Sequence, residues 1–129
     1  MKKLIVALSI SALFLTGCGS STSSVGNQGA IDFAQTISDP NVVVLDVRTP
    51  GEFMAGHITN SLNIDVEGMQ FAADITKLDK SKTYAVYCQS GRRSAIATTE
   101  MSKLGFTTLF NLQGGIGAWG AAGQTLVTN

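Results

Sequence analysis

Val42, Val43, Val44 and Leu45 form an unbroken apolar run, rich in β-branched residues and preceded by the turn-forming stretch Ser38-Asp39-Pro40-Asn41. A strand with one solvated face alternates apolar and polar residues. A run without alternation is buried on both faces, which is the habit of parallel sheets. Residues 83–87 repeat the pattern with Tyr84, Ala85, Val86 and Tyr87. Between and after these runs lie segments with helical signals. Asp32 reads as an N-cap for a helix through Ile37. Pro50 opens a helical turn over residues 50–54. Apolar residues at 66, 69, 72, 75 and 78 predict a helix over 66–78, and residues 94–104 predict another, closed by Gly105. A last helical turn spans 116–121 around Trp119, and Gly114 and Gly115 before it suit a turn and close packing. Short strands are expected to end at residues 30–31, to span 61–64, and to start at 107–109. Strands alternating with helices predict a single α/β domain with a central parallel sheet of about five strands and helices on both faces. Met69 and Phe71 are expected in the core rather than at a pocket entrance.

The first seventeen residues read differently. Lys2 and Lys3 precede a twelve-residue apolar centre over 4–15, broken only by Ser9 and Ser11. That is shorter than the roughly 20 residues needed to span a bilayer, and it has the layout of a secretory signal. Leu15-Thr16-Gly17-Cys18 resembles a bacterial lipoprotein box, which implies a lipid on the Cys18 thiol and cleavage before it. The expected organisation is therefore a signal peptide over 1–17, a lipidated Cys18 with a Gly/Ser-rich flexible tether over 18–29, and a domain over 30–129. Gly19, rather than Asp, follows Cys18. The protein is then an exported lipoprotein facing the periplasm or cell exterior, with the outer membrane favoured in a Gram-negative source.

Charge and composition narrow the function. Nine basic and nine acidic residues give zero net charge, so no nucleic-acid partner is expected. One His and two Cys exclude a Cys/His zinc site of the usual kind, and no metal or cofactor is expected. With Cys18 acylated, Cys88 is the only thiol left. It sits where an apolar strand ends, and Gln89, Ser90, Gly91, Arg92 and Arg93 follow before the next helical segment. In parallel sheets ligands bind at the carboxyl ends of strands. A short Gly-containing loop running into a helix turns successive N–H groups toward one spot and makes an anion cradle. A thiol there is expected to have a lowered pKa and to act as a nucleophile.

Three separated motifs carry a family resemblance. Leu45-Asp46-Val47-Arg48-Thr49-Pro50-Gly51-Glu52-Phe53 with Gly56-His57-Ile58, then residues 88–94, then Gly114-Gly115-Ile116-Gly117-Ala118-Trp119 together resemble the rhodanese-like sulfurtransferases. Thr59-Asn60-Ser61 departs from the Pro-Gly-Ala that often follows Gly-His-Ile there. The resemblance implies a transferase that moves sulfane sulfur from thiosulfate, or a similar small anionic donor, to a thiol or other thiophilic acceptor. Cys88 would carry the sulfur as a persulfide. Residues 89–93 would bind the donor, Arg93 holding its oxygens and Arg92 helping from the rim. Asp46 with Arg48 or a loop N–H, and Glu52 with His57, would brace the loop from behind. Trp119 would be core or pocket wall. A phosphatase of the same fold has a loop one residue longer, and a non-catalytic sulfur carrier would use the same thiol.

Overall fold

The computed structural model describes residues 23–129. The signal peptide expected over 1–17 and the lipid site expected at Cys18 lie outside the described residues. The elements are β1 (Ser24–Gln28), α1 (Ala30–Thr36), β2 (Val42–Asp46), α2 (Pro50–Ala55), β3 (Leu62–Asn63), α3 (Phe71–Ile75), β4 (Thr83–Tyr87), α4 (Arg92–Lys103), β5 (Thr108–Leu112) and α5 (Gly115–Ala121). The five strands form one sheet in the order β1-β5-β4-β2-β3, every neighbouring pair parallel. The expected single α/β domain with a five-stranded parallel sheet is what forms.

Helices cover both faces because the central strands are apolar on both. On one face Leu45, Val86 and Leu109 pack with Phe71 and Ile75 of α3 and with Ala97 and Met101 of α4. On the other, Val44, Ala85, Tyr87 and Leu112 pack with Phe33 of α1 and Trp119 of α5. Trp119 is therefore core, and its indole N–H donates to the Thr125 carbonyl at 3.0 Å. Gly105 closes α4 as expected. Its φ is 96°, its N–H bonds Ser102, and the N–H of Phe106 reaches back to Met101, with Phe106 fully buried.

Several local expectations need correction. Ser24–Gln28, expected within the tether, is β1, and residues 30–31 open α1 instead of ending a strand. The segment shows no apolar alternation because it is an edge strand. Its backbone ladder to β5, rather than side-chain burial, holds it. The N-cap of α1 is Gly29, with Asp32 in the first turn. The helix expected over 66–78 is only Phe71–Ile75, because Asp65 organises a turn: its carboxylate accepts from Glu67 N–H and its carbonyl from Gly68 N–H. Phe71 is buried, but Met69 is 97% exposed and belongs to no core. The last strand continues three residues beyond Leu109.

One backbone contact connects this scaffold to the loop after β4. The N–H of Ile116 donates to the Cys88 carbonyl at 3.1 Å. A Cβ on Gly115, whose φ is +58°, would lie 2.5 Å from the Gln89 carbonyl atoms and 2.6 Å from the Cys88 oxygen. Gly91 (φ +95°) closes the same joint, since a Cβ there would stand 3.1 Å from Gly114 N. Gly115→Ala is expected to force the 88–89 peptide outward. It should cost about 1–3 kcal/mol, as overpacking does, measured by urea unfolding, and should slow alkylation of Cys88 by iodoacetamide.

Candidate functional site

Cys88 is the first residue after β4, and it is fully buried. Its Sγ accepts a hydrogen bond from Gly91 N–H at 3.0 Å and from Ser94 Oγ at 3.3 Å. Burial pushes the thiol up. The Ser94 hydroxyl and the N–H groups of Ser94, Ser90 and Gly91 outweigh it and bring the pKa below its ordinary value. The convergence comes from chain geometry. Gly91 takes a left-handed conformation, and α4 starts at once behind it with its unpaired N–H groups turned back toward the sulfur. Gln89, Ser90 and Arg92 are exposed, while Gly91 and Arg93 are half-buried.

Arg93 reaches across to α2. Its Nη1 and Nη2 donate to the two carboxylate oxygens of Glu52 at 2.8 and 2.9 Å, a bidentate pair with side chains 19% and 34% exposed. Glu52 also completes a capping box. It accepts from Thr49 N–H at 3.0 Å, while Thr49 Oγ1 accepts from Glu52 N–H at 3.3 Å. The Arg93 hydrogen bonds, with those of Thr49, hold the Glu52 carboxyl down at about 2 against partial desolvation. The expected Glu52–His57 pair therefore does not form. His57 instead stacks on Phe53 at 3.8 Å, its Nδ1 bonds the Phe53 carbonyl at 2.8 Å, and its backbone pairs with Val127. Charge explains the choice: a carboxylate capping α2 within reach of a guanidinium takes the permanent cation.

The expected Asp46–Arg48 pair is present and buried. Asp46 Oδ2 accepts from Arg48 Nη2 at 2.7 Å, and the side chains are 0% and 4% exposed. Arg48 also donates to the Gly56 carbonyl at 2.6 Å and, at 3.5 Å, to Gln89 Oε1. It lies 5.8 Å from the centre of the Tyr87 ring. The pair thus ties the end of β2 to the turn after α2 and to the first loop residue after Cys88. Asn63, outside the sequence expectations, supports it by donating to the carbonyls of Asp46 and Arg48.

The structure brings Cys88, Gln89, Ser90, Gly91 and Arg93 together with Asp46, Arg48 and Glu52 at one end of the sheet. His57 stands behind them in a packing role. Ser94 is the residue that sequence reasoning missed as part of the site. Its signal was present, a hydroxyl in the first turn of the helix after the loop, six residues from the thiol. Arg92 forms no ion pair among the described residues.

Comparison with known proteins places these features. The Rhodanese-like domain family matches residues 30–122. A provisional mitochondrial thiosulfate sulfurtransferase of Schizosaccharomyces pombe is 33% identical over 130 aligned positions, covering 87% of this chain and 92% of that protein. A tRNA uridine(34) hydroxylase of Legionella pneumophila is 34% identical over 89 positions, but the match covers only 35% of it, against 66% of this chain. Among solved structures, a rhodanese-related protein of Thermoplasma volcanium superposes with a TM-score of 0.71 at 35% identity, covering 81% of this chain and 99% of that one.

Two outcomes test the site electrostatics. Ser94→Ala removes a donor to the sulfur while leaving the backbone cradle, so the pH profile of Cys88 alkylation should shift upward. A profile unchanged from wild type would remove Ser94 from the account. For Glu52 the folded pKa lies below the ordinary 4.5. The unfolded chain therefore binds more protons in that window, and stability rises with pH there. The contribution is complete above about 4.5 and is lost as pH falls toward about 2. Gln at position 52 keeps the reach to Thr49 and loses the charge. The stability gap between wild type and Glu52→Gln, from urea unfolding, should therefore close on acidification across that window.

Proposed function

The chain belongs to the rhodanese-like domain family, and from that premise we propose that it is a membrane-anchored sulfurtransferase working through a Cys88 persulfide. The observation that carries the reading is the buried sulfur of Cys88, ringed by N–H donors and the Ser94 hydroxyl and drawn toward the thiolate. Cys88 thiolate attacks the outer sulfur of thiosulfate. The sulfur–sulfur bond of the donor breaks, its electron pair leaves with sulfite, and a persulfide anion stays on Cys88. A thiophilic acceptor takes that sulfur and the thiolate returns, the two-stage logic of covalent catalysis. The N–H groups of Ser90, Gly91 and Ser94 are the donors that stabilise negative sulfur in both stages.

Arg93 is the half-buried arginine of the loop, and Glu52 fixes its direction. A guanidinium has five N–H donors, and Glu52 takes one from each terminal nitrogen. The others are left for the donor's oxygens. Arg92, exposed and without an ion-pair partner among the described residues, adds charge at the rim. The loop from Cys88 to Arg93 is six residues long. A ring that small suits a sulfur atom rather than a tetrahedral phosphate. Lipidation at Cys18 places the domain outside the cytoplasm, where a lone thiol persists because it is enclosed.

The enclosed thiol also favours a second reading, a sulfur carrier with slow turnover, because a persulfide in the same pocket is shielded from stray thiols. Multiple turnovers with thiosulfate and cyanide favour the enzyme. A stable adduct of one sulfur and no turnover favours the carrier.

Mass spectrometry after thiosulfate treatment should find one added sulfur on Cys88, and none in Cys88→Ser. Charge-assisted hydrogen bonds are worth about 1.5–3 kcal/mol, so Arg93→Ala should lower kcat/KM for thiosulfate by roughly 10- to 150-fold. Arg92→Ala should cost less because the rim is solvated and screened. Arg93→Ala turning over thiosulfate like wild type would refute its role, and wild type preferring an aryl phosphate would refute the sulfurtransferase.

A further inference from the structure

We infer that the domain stands on the bilayer by the end of the sheet opposite Cys88, so that the sulfur-handling loop faces solution. The inference rests on the lipid anchor proposed at Cys18 and adds an orientation to it. It comes from the parallel topology and from the position of β1.

Ser24 opens β1 in register with Thr108, and Thr108 is in register with Thr83. The chain therefore joins the sheet at the row where every central strand starts. Cys88 lies beyond the opposite end, five residues farther along β4, about 16 Å at strand rise. The joining point is held there. Ser24 N–H donates to the Thr107 carbonyl at 3.0 Å, and the Ser23 and Ser102 hydroxyls are hydrogen-bonded, Ser102 lying at the C-terminal end of α4.

Because β1 begins at Ser24, five residues, not eleven, lie between Cys18 and the folded domain. At full extension that length reaches about 20 Å. Turning the Cys88 end toward the lipid would consume nearly all of it in climbing the side of the sheet, before any part entered the headgroup layer. The opposite end meets the surface without that demand. It carries the four lysines of the described residues, Lys77, Lys80, Lys82 and Lys103, in or beside the connections that enter β4 and β5. Asp39, Asp74, Asp79 and Glu100 lie at the same end, and Asp74 and Glu100 pair with Lys77 and Lys103. That end is thus close to neutral. Tether length and topology, not charge, set the orientation.

The experiment uses the full chain, processed in cells and reconstituted in vesicles of phosphatidylethanolamine and phosphatidylglycerol that contain a nitroxide-headgroup lipid. In a Cys88→Ser background, a thiol-reactive fluorophore is placed by Lys82→Cys at one end or by Met69→Cys at the other. Both positions are exposed. Lys103→Cys is a second position at the Lys82 end should Lys82→Cys fold poorly. Mass spectrometry of Cys18 and membrane flotation are read on the same samples. The expected result is an acylated, bound protein whose probe at 82 loses most of its emission while the probe at 69 keeps its own. An acylated, bound protein quenched equally at both ends, or more at 69, overturns the orientation alone. An unmodified Cys18 with the protein free in solution overturns the anchor, and the orientation with it.

Discussion

Two stretches of backbone touch where Gly115 lies under the Cys88–Gln89 peptide, with no room for even a methyl group between them. The rest of the site depends on that contact. It brings the Ile116 N–H to the Cys88 carbonyl and leaves the opposite side of the loop free to turn its own N–H groups inward. Gly91 can adopt its left-handed turn because it has no side chain of its own, and a Cβ there would stand 3.1 Å from the Gly114 nitrogen on the facing segment. The glycines of two distant motifs thus work as one joint. The loop is firm because it is wedged between α4 and the start of α5, and a firm loop keeps its donors aimed at the sulfur without reorganisation.

Around that joint, two ion pairs divide the labour. Asp46 and Arg48 are buried and make contacts on several sides, so they fix the end of β2 relative to Gly56 and Gln89. Desolvation makes such a pair a weak source of net stability, but losing either partner strands a buried charge. Glu52 and Arg93 are more open, and their pair is directional. It couples the capping box of α2 to the first turn of α4, so the guanidinium and the Cys88 loop are held in one frame. The first pair builds the floor of the site, and the second sets its charge.

The architecture was legible because β2 and β4 are continuous apolar runs, a pattern that only a sheet covered on both faces explains. The Cys88 loop was legible for a similarly local reason, since thiol, glycine and arginines lie within six residues at a strand end. What escaped the sequence was non-local or carried by backbone. Glu52 and Arg93 are 41 residues apart, and no spacing rule joins them, whereas His57 lay nearer and drew the pairing to itself. β1 is held by a hydrogen-bonded ladder along an edge, which leaves little trace in side-chain pattern. The regular apolar spacing through residues 66–78 suggested a helix, but Asp65 and Gly68 make a turn there, and Met69 points to solvent. Ser94 was in plain view, yet a hydroxyl at a helix start has several ordinary uses.

The antiparallel pairing of His57 with Val127 has a consequence for the order in which the molecule is made. Leu126 packs beside Gly56, whose carbonyl receives Arg48, and the support beneath Cys88 comes from residues 114–116. Each of these pieces leaves the ribosome well after the thiol does. A nascent chain that has emerged only as far as α4 holds its cysteine without the 114–116 backbone that packs against its loop. The packing of the Cys88 loop is therefore completed only once the start of α5 has formed behind it.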